Sequence, residues 1–412
     1  MKINQCLWGN MMRNTLKLSV IGVAIAAQSG IAMADATIYG KLNLTMQNNN
    51  FDYFDRPQKD NWSLDSNASR LGVKGKAKIN DDLDAVFKME FEVFADSGFN
   101  SCNGSNNTFC QRNIYAGLSS KKYGMLYAGK NDTVMKMAAD GTDLFNDLIL
   151  GDITNYMVGE NRETNSIIYT SPIISGFTFS TSTILGEQSG VNNASNKNPF
   201  HNSAQKNSGL FDSISSAVKY DFNDKTWVAL ANDINVENAD ITRLVGQTSV
   251  GNFTFNAQWQ TAGNHFEDQN ADGKNDGTGD GMIISSSKGY GLALNNAAPP
   301  VGVGSGAYFS GIEKQDAWMV NGKYQNGNWA YKAQLGQSVS TAFSPNAANK
   351  FESGSSRDFK ATQLALGVDY ALNKNVTVFG YAAQINVDTD KAQALIDDAS
   401  LQTAGVGLEV KF

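Results

Sequence analysis

The chain has 412 residues, among them 39 glycines and only six prolines, with 33 Lys and Arg against 40 Asp and Glu, a formal net charge of −7. An acidic balance argues against a nucleic-acid partner. The scattered prolines offer no hinge or low-complexity linker at which to divide the chain into two domains.

At the N-terminus, Met12, Arg13 and Lys17 form a short basic region before the apolar run LSVIGVAIAA, and Ala32–Ala34 has the small-x-small form of a processing site ahead of Asp35. The run is about ten residues long, too short to span a bilayer as a helix. Residues 1–34 are therefore expected to be a removed signal peptide, with Met11 and Met12 as alternative starts and Cys6 lost on processing. The remaining 378 residues (412 − 34) form one expected domain, 35–412. Once Lys2, Arg13 and Lys17 are gone, it carries 30 basic against 40 acidic groups.

Beyond Asp35 the apolar residues recur at period two, which places them on one face of a strand. In SRLGVKGKAKI, Leu71, Val73, Ala77 and Ile79 oppose Arg70, Lys74, Lys76 and Lys78; in AVFKMEFEVF, Phe87, Met89, Phe91 and Val93 oppose Lys88, Glu90 and Glu92. Phe253, Phe255, Ala257 and Trp259 repeat the pattern, as do Trp329, Tyr331, Ala333 and Leu335, and Val406, Leu408, Val410 and Phe412. About sixteen such segments are expected, near 36–47, 66–79, 85–95, 111–119, 124–130, 163–171, 176–183, 213–221, 225–234, 242–250, 253–262, 316–325, 328–338, 361–371, 375–386 and 402–412. GMIISSSKGYGLALNN is left within a long loop. Tight turns (NDDLD, DFNDK, VGN, QNGN, LNKN) alternate with long polar stretches, including 184–212, 263–315 and 341–360.

A soluble sandwich and a transmembrane barrel share this alternation and differ in which face meets water. The even strand count, the alternation of long and short connections, and the aromatics Tyr123, Tyr220, Trp227, Trp318, Trp329 and Tyr370 near strand ends favour the barrel. Closure also pairs the last strand with the first, which lipid requires.

The segment from Asn131 to Glu160 holds Asp140, Asp143, Asp147, Asp152 and Glu160 against Lys136 alone. Within it DGTDLFNDLIL has a short helical character, with Asp140 as a cap and Leu144 and Leu148 as an apolar i,i+4 pair. Cys102 and Cys110 enclose seven residues on a loop and suit a disulfide in an exported protein. DQNADGKNDGTGD resembles a calcium loop in spacing but has Gly279 where the twelfth-position Glu belongs, and His201 and His265 lack paired ligands. No metal or cofactor is expected.

The segments DATIYGKLNLT, SRLGVKG, RNIYAGLSSKKYGMLYAGKNDT, DGTDLFNDL, NRETNSIIYTSPIISGFTF, LALGVDYALNKNVTVFGYAAQI and GVGLEVKF together resemble the general porins of Gram-negative bacteria, in particular the neisserial type. That resemblance, spread from Asp35 to Phe412, implies a sixteen-stranded antiparallel outer-membrane β-barrel with the third long loop folded into the lumen. It also implies a homotrimer bordered by outer-membrane lipid and lipopolysaccharide, with Phe412 as the assembly signal. The sequence departs in length at 184–212 and 263–315, and by an extra Lys in SSKKYGM.

By the same resemblance, Lys41, Arg70, Arg112 and Arg162 form the basic wall of a constriction, and Asp140, Asp143, Asp147 and Asp152 its acidic loop. Alternation independently turns Lys41 and Arg70 away from Leu42 and Leu71. For Arg112 it does not, because Ile114, Ala116 and Leu118 are apolar, and an Arg snorkelling from a strand end stays open. The expected function is a water-filled pore for passive diffusion of small hydrophilic solutes and ions, weakly selective and leaning to cations at low salt. The alternatives are a solute-specific channel of the same fold and a non-conducting adhesin or receptor. An enzyme is not expected, since neither His201 nor His265 is paired with a nucleophile in sequence.

Overall fold

A strand with one greasy and one wet face must find two different solvents, and this chain does so by closing its strands into a ring. The computed structural model describes residues 35–53, 56–57, 61–97, 100–102, 105–107, 109–185, 210–211, 213–237, 239–265, 311–344, 355–389 and 399–412. The signal peptide with Cys6, His201, the calcium-like stretch and GMIISSSKGYGLALNN lie outside the described residues.

Sixteen strands build the wall: β1 (Asp35–Tyr53), β2 (Asn61–Ser66 continued by Arg70–Lys78), β3 (Leu83–Val93), β4 (Phe109–Ser120), β5 (Gly124–Asp132), β6 (Arg162–Thr170), β7 (Phe177–Ile184) and β8 (Ile214–Asn223), then β9 (Thr226–Val236), β10 (Ala239–Val250), β11 (Phe253–Asn264), β12 (Gly311–Asn326), β13 (Trp329–Ser344), β14 (Ser355–Ala371), β15 (Val376–Thr389) and β16 (Ala399–Lys411). Each pairs antiparallel with the next, and β16 returns to β1 through a register running from Lys41↔Lys411 to Asp52↔Ser400. Among the described residues the barrel wall has no open edge, since each of its strands is paired on both sides. Beyond the last strand, Gly40 N–H donates to Phe412 O at 2.9 Å and Phe412 N–H to Gly40 O at 3.1 Å.

Burial decides between the two solvents. The exposed large side chains include Leu42, Met46, Leu71, Leu118, Leu126, Phe179, Leu230, Leu244, Phe255, Trp259, Leu335, Leu364 and Leu408, whereas Asn43, Thr45, Gln47, Gln258, Gln260 and Arg243 are buried. That inverts a soluble fold and matches a barrel whose outside meets lipid. No helix among the described residues is long and apolar enough to cross a membrane; the strands do the crossing.

Aromatic pairs at the short-turn end, such as Phe177–Tyr220 at 4.5 Å, Phe253–Tyr324 at 4.6 Å and Trp329–Tyr370 at 4.6 Å between centroids, form the interfacial belt. Trp318 does not belong to it. Because β12 begins at Gly311, Trp318 lies in mid-strand, opposite Trp259.

Several strands run longer than alternation suggests: 19 residues in β1, 16 in β12 and in β13, and 17 in β14. About ten tilted residues suffice to cross the hydrocarbon. The excess stands toward the long-loop end, where the inward side also carries buried apolar residues such as Phe51, Phe359, Val387 and Leu401, and the contrast between the two faces fades from the sequence. The short strand near 124–130 is present as β5, with nine residues.

Candidate functional site: a loop across the lumen

Between β5 and β6 the chain leaves the wall. Thr133 caps a single helical turn, α1 (Val134–Ala138), accepting Lys136 N–H at 3.3 Å. The helix thus precedes the DGTDLFNDLIL stretch; residues 140–150 are turns instead, with Gly141 at φ 81°.

From α1 the loop follows the inner face of β8 to β14. Met135 N–H donates to Ser215 Oγ at 2.9 Å. Five inward glutamines then hold the loop. Gln258 donates to Thr142 Oγ1 at 2.6 Å; Gln334 accepts Leu144 N–H at 3.2 Å and donates to Gly151 O at 2.8 Å. Gln363 accepts Gly151 N–H at 3.1 Å and donates to Asp152 O at 3.1 Å, Gln315 accepts Val158 N–H at 3.0 Å, and Gln260 donates to Val158 O at 3.1 Å.

A carboxamide both donates and accepts, so it can replace the missing peptide partner of an irregular buried backbone. Between these bonds Met135, Phe145, Leu150, Ile153, Tyr156, Met157 and Val158 pack on Ala231, Ile241, Ala317, Met319, Ala361 and Ala365 from the wall. The loop closes on Arg243, fully buried, which donates to Glu160 Oε1 at 2.5 Å, Val158 O at 3.0 Å and Gln260 Oε1 at 2.9 Å.

The tip reaches the opposite wall. Asp147, at φ 73°, takes a left-handed conformation that Asp tolerates better than most residues. It accepts from Lys41 Nζ at 2.9 Å and Arg70 Nη2 at 2.5 Å. A segment bonded to β1 and β2 at its tip and to β10–β14 along its flank lies inside the ring.

The four acidic residues expected to act alike are separated by the structure. Only Asp147 meets the basic wall. Burial opposes its ionisation, but Lys41 and Arg70 outweigh that and hold its carboxyl below the usual range. Asp143 turns into the loop, accepting Phe145 N–H and Ile153 N–H at 2.9 Å each and Gln334 Nε2 at 3.0 Å. Asp152 caps the 3₁₀ turn Ile153–Asn155, accepting Thr154 N–H and Asp147 N–H, both at 2.8 Å. Burial, then the Asp152 charge, pushes Asp143 up to about 8, and burial raises Asp152 as well. Asp140 is exposed and makes no salt bridge among the described residues.

The basic residues do converge on one wall. Arg112 faces inward because Met89↔Ile114 is followed by Phe91↔Gln111, leaving Arg112 and Asn113 opposite Glu90 alone. Such a bulge switches parity, so Arg112 and Asn113 both face the lumen while Ile114 and Leu118 keep to the outside. Arg112 pairs with Glu90 at 3.1 Å and Glu92 at 3.0 Å; Arg162 pairs with Asp132 at 2.8 Å and donates to Asn113 Oδ1 at 2.6 Å. The acidic partners Glu90, Glu92 and Asp132, the arginine Arg243 and the glutamines were not singled out from sequence. Of these, Glu90, Glu92, Gln258, Gln260 and Gln334 carried a signal, since alternation sets them opposite the apolar faces of their strands. Cys110 is disulfide-bonded, and the side chain of Cys102 lies outside the described residues. His265 Nδ1 is 2.7 Å from Asp240 Oδ1.

A closed barrel with an apolar exterior, a charged inner wall and a loop laid across its lumen defines a membrane channel. The model of the Gram-negative porin family matches residues 22–390, and the chain belongs to that family, whose place is the outer membrane. It is 26% identical over 174 residues to the major outer membrane protein P.IB of Neisseria sicca, covering 40% of this chain and 46% of that one. The chain thus matches between about half and two thirds of the length of the curated relatives. Its fold is that of the anion-selective porin from Comamonas acidovorans (TM-score 0.60, 17% identity, 92% of this chain and 100% of that one). It is also that of OmpT of Vibrio cholerae in a trimer form (TM-score 0.54, 14% identity, 92% and 99%).

Proposed function

We propose that this protein is a diffusion porin: a water-filled channel through which small hydrophilic solutes and ions pass passively, with weak charge selectivity. The observation that carries it is the placement of the loop. It covers β8 to β14 and leaves the wall of β2 to β6 facing the passage, so solutes pass beside the Asp147–Arg70 contact, along the wall that carries Arg112 and Arg162. Facing charges there make a transverse field that orients polar solutes and penalises apolar ones. With Asp143 and Asp152 turned inward, Lys41, Arg70, Lys88, Arg112, Lys136 and Arg162 oppose Asp147, Glu90, Glu92, Asp132 and Glu409, an excess of one positive charge. The acidic balance of residues 35–412, 40 acidic against 30 basic groups, draws cations at low salt. As salt screens it, the narrow part governs and the preference moves toward anions.

In this reading residues 1–34 are a cleaved signal peptide and Cys102 is the partner of Cys110. Phe412, half-exposed at the membrane edge beside Gly40, is the assembly signal. The barrel is a homotrimer in lipid and lipopolysaccharide, supported by apolar exteriors on β1 and β16 (Leu42, Met46, Val406, Leu408). It is a conduit, with no catalytic role assigned to its lumen.

Planar-bilayer recording tests this. The wild type should give stable, ohmic channels in KCl, and Asp147→Asn should shift the reversal potential toward anions. A reconstituted barrel that carries no current, or a D147N channel with an unmoved reversal potential, would remove the porin reading or the constriction respectively.

A further inference from the structure

Strands β13 and β14 each contain a single glycine, Gly336 and Gly367. Gly336 alternates with the buried Gln334, and Gly367 with the buried Gln363 and Ala365, which turns both glycines toward the lumen. A glycine inside a strand weakens it and often marks the close approach of another group. Here a ring of the loop fills each place. An added Cβ at Gly336 would lie 2.5 Å from Tyr156 Cε2 and closer still to Tyr156 Cζ and its hydroxyl, and one at Gly367 would lie 2.9 Å from Phe145 Cε1 and 3.3 Å from Phe145 Cζ. Both rings are fully buried.

The sockets are rimmed by side chains that bond the loop. Gly336 stands opposite Gln363, which accepts Gly151 N–H, and Gly367 opposite Lys332, which donates to Leu144 O at 3.2 Å with its Nζ 5.1 Å from the Phe145 ring centroid. The buried Tyr156 hydroxyl has no hydrogen-bond partner among the described residues, so shape seats that ring. Between the two rings Gly151, at φ 101°, brings the loop backbone to the wall: an added Cβ there would lie 2.8 Å from Phe145 Cβ and 3.4 Å from Ala365 Cβ. Phe145 and Tyr156 bracket Asp147 in the chain, so the depth of the sockets fixes how far the segment carrying the tip stands off β13 and β14. Any added stand-off is taken from the passage beside β2 to β6.

We propose that Gly336 and Gly367 set the width of the passage, by letting Tyr156 and Phe145 sink into the wall. The inference rests on the porin reading and deepens it, naming what fixes the largest solute that passes. A methyl group at position 336 would push Tyr156 Cε2 from 2.5 Å to an ordinary contact of about 3.5 Å, lifting the loop by about 1 Å into the lumen. At position 367 the same argument starts from 2.9 Å and gives a lift of about 0.6 Å. Neither change alters a charge.

The test is single-channel conductance of the full chain in planar bilayers, with polyethylene glycols of graded mass to find the largest that enters. Gly336→Ala should lower both the KCl conductance and the polymer cut-off, with the reversal potential unmoved. Shrinking the ring should undo this in steps: G336A/Y156F recovers part of the loss and G336A/Y156L the whole, a compensation that a merely weakened strand would not show. Gly367→Ala should act in the same direction and less, with F145L as its compensating change, and it carries the test if G336A does not assemble. Gly322→Ala on β12 should change nothing, because it alternates with the exposed Val320 on the outside and an added Cβ there meets Phe255 at an ordinary 3.4 Å. Exchange of Gly151 N–H in detergent reads the same seating without current; overpacking should make it about 5- to 150-fold faster in G336A, and G336A/Y156L should restore it. A G336A channel of wild-type conductance and cut-off, or a loss that Y156L does not correct, overturns the proposal. A barrel that conducts no KCl overturns the porin reading; the seating of the loop is then judged by the exchange rate, and an unchanged rate in G336A overturns that too.

Discussion

Replacing Arg243 with Met removes the one fully buried cation among the described residues of the anchored wall. Its guanidinium makes three bonds, to Glu160 at 2.5 Å, Val158 O at 3.0 Å and Gln260 at 2.9 Å. Methionine keeps much of the volume and none of the donors. Glu160, 7% exposed at its side chain, is left as an unpaired charge, a situation that costs about 3–5 kcal/mol when a buried pair loses one member. The cost falls on the loop and not on the barrel, whose strand ladders are untouched.

Local opening of residues 153–160 should therefore become about 10²- to 4 × 10³-fold more frequent. Hydrogen exchange in detergent reads this directly, because Val158 N–H is held by Gln315 Oε1 at 3.0 Å. In single channels the same opening appears as added current noise. Glu160→Gln in the R243M background removes the orphaned charge and should recover part of the loss. If Val158 exchanges at the wild-type rate in R243M, or if E160Q/R243M is no better than R243M, the loop does not depend on this pair.

The remaining predictions concern a proton and a covalent bond. Asp143 titrates near 8, far above the usual carboxylate value, so the packed loop binds a proton that a released loop loses, and loop stability should fall as pH rises from about 4 through about 8. Asp143→Asn should abolish that dependence, worth on the order of a few kcal/mol, in exchange rates followed against pH; a slope surviving in D143N would place the proton elsewhere. Asp147, held below the usual range, works in the opposite sense, and its contacts to Lys41 and Arg70 should fail only in acid, as pH falls through its depressed value. Cys110→Ser should abolish the mobility difference between reduced and unreduced protein, and peptide mapping should recover Cys102 as the partner.

The strands are legible in the sequence because lipid and water impose opposite demands on alternate residues, and Leu42 beside Lys41 or Leu71 beside Arg70 records that demand in two letters. Arg112 is not, since a single bulged residue reverses the parity that alternation depends on. Asp143, Asp147 and Asp152 share a residue type and a loop, and nothing in an irregular backbone tells which carboxylate points to the wall. Gln258, Gln260, Gln315, Gln334 and Gln363 look like ordinary lumen polar residues until the loop's unpaired peptide groups are placed against them. Small inward residues such as Ala231, Ala317, Ala361 and Ala365 were the available clue: a wet wall has no need of inward alanines on three strands, but a packed one does.

The two walls divide the labour, and the division can be tested. Strands β10 to β14 hold the loop through amides, apolar contacts and Arg243, so changes there should alter how often the passage is open. Strands β2 to β6 carry the uncovered charges, so changes there should alter which ions pass. Arg112→Gln leaves Glu90 and Glu92 less compensated, which should move the reversal potential toward cations without adding noise. R243M should add noise without moving the reversal potential. Arg112 and Arg243 share no hydrogen-bond or ion-pair partner among the described residues, and independent sites combine additively. The R112Q/R243M channel should therefore show the noise of one and the reversal potential of the other. A reversal potential in the double variant that departs from R112Q would mean that the position of the loop sets the field at the charged wall, and that Asp147 alone does not fix where the tip rests.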